Sequence, residues 1–458
     1  MINDDTIIAL SSAAGTGAIA VIRMSGENAI NIFANSVGAG STCPKKFELN
    51  HSQIKRFEII DKNGDVIDDV MAAAFFAPKS FTGENLLEIF CHGSPITIER
   101  IIKRMIELGA APAGKGEFAK RAFLNGKIDL HKAEAINAVI AAKDYYSHKN
   151  AMSQYLGAGR DFFDGIKENL QEILSDIESE IEFSETDDLG AENNNREKLQ
   201  KVLNEILQNL KKEKENFGRL KKIKNGFPVV LAGRTNAGKS SLFNALLQEN
   251  RAIVNAKAGT TRDVISETVS FDEIVIRLTD TAGLNDKSSD EIEVEGIERT
   301  KKEIEKAAAV LWVISPENDM LETDYEIVKN VPVLIAVLNK SDLPQNPKQE
   351  EFLKEKNIFY EKTSISRNLG VHNIILSLSA RILHTFPEKD FFTILSSERE
   401  LKVIETLLEL AEETDVADNS EIIAESIREM LKSLGEIYGF IAPDEIMNKI
   451  FDNFCIGK

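Results

Sequence analysis

The stretch that decides the fold is Phe227-Pro228-Val229-Val230-Leu231-Ala232-Gly233-Arg234-Thr235-Asn236-Ala237-Gly238-Lys239-Ser240. Its first part is a short apolar run typical of a buried strand, and an apolar helical pattern follows at 242–247. The glycine-rich loop between them has the spacing of a P-loop, in the strand-to-helix setting that this motif requires. In such a loop, backbone N–H groups surround phosphate oxygens at the amino terminus of a helix, where the dipole favours negative charge. The sequence therefore predicts that Lys239 reaches the β- and γ-phosphates of a nucleotide and that the Ser240 hydroxyl binds Mg²⁺.

Two further motifs end buried strands downstream of this loop. Asp280-Thr281-Ala282-Gly283 ends an apolar strand at 274–278, which puts a carboxylate near the Mg²⁺ and a glycine N–H near the γ-phosphate. Asn339-Lys340-Ser341-Asp342 ends the strand Val333–Leu338. The Asp342 carboxylate can accept hydrogen bonds from the ring N–H and the amino group of guanine, and adenine offers neither donor there. Motifs of this kind in this order predict a GTP-binding domain.

A candidate switch loop, Gly259-Thr260-Thr261-Arg262-Asp263, lies between the P-loop and Asp280. In GTPases this loop supplies a second hydroxyl to Mg²⁺, and we expect Thr261 to supply it. The residues predicted to bind the nucleotide come from the motifs above and from the base-binding loop at Ser364; they are Asn236, Ala237, Gly238, Lys239, Ser240, Ser241, Asp280, Thr281, Ala282, Gly283, Asn339, Lys340, Asp342 and Ser364.

The composition is that of a cytoplasmic globular protein. With one domain per ~150 residues as a prior, 458 residues predict about three domains. Cys43, Cys91 and Cys455 are far apart and lack metal-ligand spacing, which argues against a disulfide framework or a zinc site. The amino terminus is acidic and there is no run of about 18 apolar residues, so we expect a protein that is neither exported nor membrane-spanning.

The charge balance argues against a non-specific nucleic-acid binder. Lysine and arginine number 55 against 74 aspartates and glutamates, a net charge of −19. Such a charge repels polyanions at long range, so any contact with RNA must be local. The densest basic stretch, 219–224, is interpreted as the solvated face of a linker.

Hydrophobic periodicity predicts a multidomain α+β and α/β chain. Residues 1–118 form a β-rich α+β domain in this prediction. Residues 119–225 and 388–458 are helical, and we expect them to pack as one bundle because their apolar stripes would otherwise face water. Residues 226–387 form an inserted Ras-like P-loop GTPase domain with an α/β fold.

Individual elements follow from the same patterns. Strands are expected at 18–24 and 71–76, a hairpin turn at Asp61-Lys62-Asn63-Gly64, a loop at the acidic, asparagine-rich 185–195, and helices at 95–108, 398–412, 421–437 and 443–451.

Motifs outside the P-loop domain make the sequence more specific than a GTPase in general. They are Ser80-Phe81-Thr82-Gly83-Glu84, Gly116-Glu117-Phe118, Arg121-Ala122-Phe123-Leu124-Asn125-Gly126-Lys127 and the terminal Phe454-Cys455-Ile456-Gly457-Lys458. With the P-loop and the Gly-Thr-Thr-Arg-Asp loop, they make the chain resemble the MnmE (TrmE) family of tRNA-modification GTPases over essentially its whole length.

The resemblance implies a function for the chain as a whole. It implies a homodimer whose amino-terminal domains associate and bind 5-formyl-tetrahydrofolate or a related one-carbon folate. It also implies that GTP hydrolysis serves tRNA modification together with MnmG (GidA), an FAD-dependent protein. The pair would install an aminomethyl-type group on the wobble uridine of certain tRNAs.

The resemblance also implies how hydrolysis is catalysed. Leu284 stands where Ras-like GTPases carry a water-orienting glutamine, and the family's water-orienting glutamate aligns with Glu293. One extra residue lies between Gly283 and Glu293, so Glu291 stays an alternative.

A potassium ion is implied in place of an arginine finger, and Arg262 is the alternative cation. The implied potassium ligands are Asn236, Asn255, Lys257 and Thr260. The base-binding loop departs from the family, because Ser364-Ile365-Ser366 replaces Ser-Ala-Lys and so lacks the lysine stem over the guanine.

In the amino-terminal domain the implied folate contacts map onto Arg23, Glu88 and Lys127, with Lys458 from the carboxyl terminus. A carboxylate can pair with the pterin, and cations suit the glutamate tail. Each of these residues would otherwise be a charge at the rim of the domain. Cysteine is often a small, buried, unreactive side chain. The place of Cys455 in a terminal Cys-Ile-Gly-Lys nevertheless favours a functional role.

Three classes of function compete at this point. The first is the GTPase subunit of a tRNA-modifying enzyme; the second is a ribosome-assembly GTPase; the third is a folate-binding transferase with a vestigial nucleotide domain. The charge of −19 disfavours the second, which should carry a basic RNA-binding domain. The presence of Lys239 and Asp342 disfavours the third.

Overall fold

The computed structural model describes residues 5–38, 49–182, 189–224, 226–249, 266–271, 274–280, 302–317, 322–386, 392–439, 447 and 450–457. The chain divides into two compact units, the first made of 1–137, 170–184 and 418–458, and the second of 138–169 and 185–417.

The first unit is built on a mixed sheet with helices from three parts of the chain. Its strands are β1 (Ile7–Leu10), β2 (Ile19–Ser25), β3 (Ile54–Ile60), β4 (Val66–Phe75), β5 (Leu86–His92) and β6 (Ala111–Pro112). Its helices are α1 (Ala29–Ala34), α2 (Pro95–Glu107), α3 (Glu117–Leu124), most of α4 (Leu130–Ala141), the second half of α6 (Ala158–Glu182) and α13 (Ser420–Tyr438).

The sheet of this unit runs in the order β3-β4-β5-β2-β1-β6 and is antiparallel except where β1 pairs with β6. The predicted turn joins β3 to β4, and Gly64 adopts a φ of 90° there, which glycine reaches without steric cost. Phe33 of α1 and Ile101 of α2 are buried in the same apolar cluster as Ile22 and Phe57 of the sheet. One face of the sheet is therefore core.

The second unit contains the P-loop domain and helices that flank it in sequence. Its strands are β7 (Phe227–Ala232), β8 (Ser266–Phe271), β9 (Ile274–Asp280), β10 (Ala309–Ile314), β11 (Val333–Leu338) and β12 (Phe359–Lys362). Its helices are α5 (Tyr145–Tyr155), α7 (Leu189–Lys224), α8 (Lys239–Glu249), α9 (Glu322–Val328), α10 (Pro347–Glu355), α11 (Val371–Thr385) and α12 (Glu398–Glu413).

The second sheet is covered by helices on both faces. Its order is β12-β11-β10-β7-β9-β8, parallel except for β8. Leu246 of α8 and Leu378 of α11 lie in the apolar cluster on one face, and Val328 of α9 and Leu353 of α10 lie in the cluster on the other. Burial on both sides explains why β7, β10 and β11 are continuous apolar runs rather than alternating ones. This is the α/β domain that the sequence predicts.

Helices from the two predicted helical segments pair within each unit, and their packing as one bundle stays a prediction. In the second unit α7 and α12 are joined by the ion pairs Lys211–Glu412 at 2.6 Å, Lys214–Glu405 at 2.9 Å and Lys221–Glu398 at 2.6 Å. In the first unit the second half of α6 meets α13, where Arg428 Nη2 lies 2.7 Å from Glu178 Oε1.

The predicted fold class is confirmed, with a β-rich α+β part, a helical part and a P-loop α/β part. The domain boundaries after 118, 225 and 387 stay predictions. The loop predicted at 185–195 is wrong from Leu189 onward, because α7 begins there; 185–188 lie outside the described residues. The predicted helix at 443–451 lies largely outside them too.

Candidate functional site

The phosphate-binding loop follows β7 and ends in the first turn of α8. Two of its glycines are required by close approaches. A Cβ on Gly233, whose φ is 144°, would lie 2.2 Å from the carbonyl oxygen of Val313. A Cβ on Gly238, whose φ is 101°, would lie 2.1 Å from Nδ2 of Asn339. Because neither neighbour can move without disturbing the sheet edge, the loop can close only with glycine at these positions.

Lys239 is buried at the start of α8 and its ammonium points into the loop. Nζ donates to the carbonyl oxygens of Gly233 at 2.8 Å and Arg234 at 2.9 Å. An ammonium group has three donors and no acceptor, so phosphate oxygens brought into the loop are natural competitors for these bonds. Lys239 is therefore held where a nucleotide phosphate would meet it.

The base-binding motif is tied to this loop. Asn339 is 4% exposed, and its Nδ2 donates to the carbonyl oxygen of Ala237 at 2.9 Å. Its Oδ1 is buried and has no hydrogen-bond partner among the described residues. Next to it, Lys340 has a φ of 56°, and its ammonium lies 2.6 Å from Glu317 Oε2. The motif is thus fixed against the P-loop on one side and against Glu317 on the other.

Asp342 is held in an ionised, oriented state. Its Oδ1 accepts a hydrogen bond of 2.6 Å from the hydroxyl of Ser364, which is fully buried. Its Oδ2 lies 4.0 Å from Nε of Arg367. The Ser364 hydrogen bond is the largest cause that lowers the pKa of Asp342 below its usual value, and Arg367 and Lys340 act in the same direction. At neutral pH this carboxylate therefore only accepts hydrogen bonds.

A cleft of about 740 Å³ joins the phosphate loop to the base motif. It is lined by Thr235, Asn236, Gly238, Lys239, Ser240, Ser241, Asn339, Lys340, Ile365 and Ser366. Most of these residues were predicted from the motifs. Ile365 and Ser366 were noted only as a departure from the family pattern, and Thr235 was not singled out; the signal for all three is their position inside or next to a motif.

Other predicted residues of this site are only partly described. Asp280 ends β9 opposite Leu231 of β7, so its backbone lies at the same sheet edge as the start of the P-loop. Several of the predicted residues lie outside the described part of the chain: Asn255, Lys257, Thr260, Thr261, Arg262, Thr281, Ala282, Gly283, Leu284, Glu291 and Glu293. Their roles stay predictions.

In the first unit Arg23 and Glu88 are partners rather than separate rim charges. They face each other across β2 and β5, and Arg23 Nη2 lies 2.6 Å from Glu88 Oε1. The guanidinium carbon also lies 5.6 Å from the ring centre of Phe81 and 5.9 Å from that of Phe118. Lys127, the third predicted folate contact, donates through Nζ to the carbonyl oxygen of Pro78 at 2.9 Å.

The carboxyl-terminal segment is anchored on residues that follow β1 and β6 of the same unit. The Gly116 N–H donates to the carbonyl oxygen of Cys455 at 3.4 Å, Ile456 forms an antiparallel bridge with Lys115, and the Ser11 hydroxyl donates to Gly457 at 2.8 Å. The Cys455 side chain is exposed.

Cys91 is a different kind of thiol. It is buried, and burial raises its pKa to about 11, so it stays protonated at neutral pH. Of the two, Cys455 is the accessible one. Cys43 and Lys458 lie outside the described residues.

The described residues contain neither a cluster of metal ligands nor a membrane-spanning helix. No group of three or more His, Cys, Asp or Glu side chains there is arranged to hold a metal ion. No helix in the same part of the chain is long and apolar enough to cross a membrane.

A P-loop, a guanine-reading motif and the cleft that joins them, on a sheet of this topology, define the class of P-loop GTPases. Comparison with known proteins extends this to the whole chain. Residues 6–127 match the family model described as GTP-binding protein TrmE N-terminus, and residues 130–455 match the one described as MnmE helical domain.

Individual relatives match the chain over nearly its full length. The tRNA modification GTPase MnmE of Bacteroides thetaiotaomicron is 34% identical, with 100% of each chain covered. That of Cytophaga hutchinsonii is 34% identical over 99% of this chain and 98% of its own. That of Staphylococcus aureus is 33% identical over 99% of both. The chain belongs to the MnmE family of tRNA modification GTPases, which are GTP-hydrolysing enzymes.

Proposed function

We propose that this chain is the GTP-hydrolysing subunit of a tRNA-modifying enzyme. With an FAD-dependent partner of the MnmG type, it installs an aminomethyl-type group on the wobble uridine of certain tRNAs. Membership of the family supports the tRNA role. The observation that carries the GTPase role is the hydrogen bond from Asn339 to the Ala237 carbonyl, because it joins the base-reading motif to the phosphate loop.

Different described residues bind the phosphates and the base of GTP. The Lys239 ammonium exchanges its bonds with Gly233 and Arg234 for bonds with the β- and γ-phosphates. The Asp342 carboxylate, oriented by Ser364, accepts from the N1–H and the 2-amino group of guanine. Adenine presents no such pair of donors, so the cleft selects GTP over ATP.

Metal ions have ligands in and beside this cleft. The Ser240 hydroxyl and Thr261 would hold Mg²⁺, with Asp280 in its outer shell. Asn236, which lines the cleft, would hold K⁺ together with the 255–260 loop. Bound there, K⁺ supplies positive charge against the γ-phosphate, a role that an arginine finger has in other GTPases. Glu293, or Glu291, would orient the attacking water.

A folate site in the first unit is the second part of the proposal. Arg23 and Glu88 are about four-fifths buried and lie beside two aromatic rings, which suits a flat, polar pterin. Arg23 uses only Oε1 of Glu88, so Oε2 remains for a ligand donor. Lys127 and Lys458 would meet the anionic glutamate tail. We propose that the amino-terminal domains of two copies associate around this ligand in the cytoplasm.

A ribosome-assembly GTPase is the alternative from another functional class. It would need a basic surface for ribosomal RNA, and the described basic side chains at the end of α7 are paired with acids. Lys221 is paired with Glu398, and Arg219 lies 3.7 Å from Glu215. The tRNA role is therefore the better supported one.

The catalytic test is the rate of phosphate release from GTP by wild type and Lys239→Ala. We expect the variant to lose at least about 10²-fold, because the phosphoryl charge is no longer matched. Lys348→Ala is the control, since it removes a lysine from the exposed face of α10 in the same domain. Turnover in Lys239→Ala at the wild-type rate would place hydrolysis at another site.

The cellular test is the nucleoside profile of tRNA from cells that lack the protein. The aminomethyl-type nucleoside at the wobble position should disappear, and it should return with wild type but not with Lys239→Ala. An unchanged tRNA profile together with a ribosome-assembly defect would favour the alternative function.

A further inference from the structure

The base-binding loop lacks the lysine of the family pattern, and the next residue supplies a cation in its place. The loop reads Ser364-Ile365-Ser366, followed by Arg367. Nε of Arg367 lies 4.0 Å from Oδ2 of Asp342. We infer that Arg367 is a positioning residue for guanine recognition, whose guanidinium supports the ionised Asp342 carboxylate while that carboxylate binds the base. This rests on the proposed GTP site and adds a residue that the family pattern does not contain.

The loop holds the Arg367 backbone in one place. Residues Ile365–Arg367 form one turn of 3-10 helix. Ser364 and Leu369 exchange both of their backbone hydrogen bonds, each at 3.0 Å, and the Thr363 hydroxyl adds a bond of 2.6 Å to the Leu369 carbonyl. Because these hydrogen bonds close the turn, they fix the backbone position from which the Arg367 side chain reaches Asp342.

The charges around Asp342 give Arg367 a distinct role. Oδ1 of Asp342 is already engaged by Ser364 at 2.6 Å, whereas Oδ2 faces the guanidinium. Lys340, the other cation that acts on Asp342, is held 2.6 Å from Glu317. In the described part of the chain, the acid paired with Arg367 is Asp342 itself.

Binding of the base should strengthen this pair. Arg367 is 65% exposed, so water screens the contact in the free protein and it contributes little to folding. A guanine that covers Asp342 excludes water and raises the strength of each charge interaction there. The contribution of Arg367 should therefore appear in nucleotide affinity and not in melting temperature.

The nucleobase offers a way to separate this role from a general one. GDP gives Asp342 two donors, the N1–H and the 2-amino group, and IDP gives only the first. If Arg367 acts through Asp342, its removal should raise the Kd for GDP by a larger factor than the Kd for IDP. If Arg367 merely stacked on the purine, its removal would raise both Kd values by the same factor.

The test is a calorimetric titration of the full chain with GDP and with IDP. Arg367→Ala should raise the Kd for GDP about fivefold, the upper end for one partly exposed ion pair, and the Kd for IDP by less. Arg367→Lys should retain most of the affinity. Lys348→Ala, which removes a positive charge from exposed α10, should bind both nucleotides like wild type. Unchanged melting temperatures should accompany all three variants.

A second variant restores the cation at the position of the family pattern. Ser366→Lys in the Arg367→Ala background should recover GDP affinity at least in part. Arg367→Ala with wild-type affinity for GDP would overturn the inference, and so would an equal loss for GDP and IDP. A wild-type chain that binds neither nucleotide is a different result, since it overturns the proposed GTP site and with it this role of Arg367.

Discussion

Asp342 shows how one side chain turns a phosphate-binding cleft into a guanine-binding one. Asp342→Asn replaces one acceptor oxygen with a donor NH₂ and leaves the size of the side chain almost unchanged. The new NH₂ group of the variant would then face one of the two N–H donors of guanine. The affinity for GDP should therefore fall by about 10²-fold or more. XDP has a carbonyl at the 2-position, and it should bind the variant better than GDP does.

Titration of wild type and Asp342→Asn with GDP, XDP and ADP checks this prediction. ADP is the control, because its binding depends on the phosphate loop alone and should stay weak in both proteins. Wild-type affinity of the variant for GDP would show that Asp342 does not contact the base.

Residue identities in the site were predictable where a motif places several groups in sequence. Lys239, Asn339 and Asp342 lie in such motifs, and the structure brings all three to one sheet edge. The position of Arg367 relative to Asp342 was not predictable, because the two residues are 25 positions apart and meet only when the 3-10 turn closes. The Arg23–Glu88 pair was missed for a similar reason. It depends on the register of β2 against β5, which a single sequence does not give.

At the scale of elements, the segment that follows the P-loop domain is held by α5 and α7. The buried Thr393 N–H donates to Asn150 Oδ1 of α5 at 3.0 Å. Its hydroxyl donates to Glu213 Oε2 of α7 at 3.1 Å, and the Ile394 N–H donates to the same oxygen at 3.0 Å. α5 also inserts Tyr146 into the apolar cluster of the P-loop domain. The domain is therefore fastened to its flanking helices by polar contacts as well as by packing.

Glu213→Ala tests this fastening. Two donors of the exit segment would lose their acceptor, which should destabilise the protein by about 1–3 kcal/mol because buried donors would be left unsatisfied. The measurement is the shift in urea or thermal unfolding. The matched control is Glu215→Ala on the same helix, whose 3.7 Å contact with Arg219 is exposed and should change stability by less than about 0.5 kcal/mol. Equal effects of the two changes would contradict an anchoring role for Glu213.

Element types were predictable where apolar runs are long and periodic. β7, β11, α12 and α13 agree with their predicted ranges to within a residue or two. The start of α7 was not predictable, because a run of acidic and asparagine residues is typical of a loop. In the structure the helix includes these residues as its first turns.

At the scale of the whole molecule, the net charge of −19 is accompanied by ion pairs between helices. The basic end of α7 lies against the acidic face of α12, and three lysines there have glutamate partners. Of the basic stretch 219–224, Lys221 pairs with Glu398 and Arg219 with Glu215, and these side chains stay at least half exposed, as expected for a solvated face. The sequence does not indicate which surface meets tRNA, because a local basic patch depends on how distant segments meet.

The last prediction concerns the cation that hydrolysis requires. Leu284 cannot orient water, and an unassisted phosphoryl transfer leaves charge uncompensated. Asn236 lines the cleft with a φ of 61°, a left-handed conformation that turns the phosphate-binding loop. If its amide oxygen holds K⁺, hydrolysis in potassium should exceed that in sodium by at least about tenfold, since a smaller ion fits a cage of carbonyl oxygens poorly. Rubidium should substitute for potassium.

Asn236→Ala separates catalysis from binding in this mechanism. The variant should lose the potassium stimulation and keep GDP binding apart from the modest cost of alanine at a φ of 61°, because the backbone N–H groups of the phosphate loop are all retained. The measurement is the initial rate of phosphate release in potassium and in sodium chloride at matched ionic strength, for both proteins, with a GDP titration alongside. Equal wild-type rates in the two salts would exclude the monovalent-cation mechanism, and Arg262 would become the residue to test as the source of positive charge.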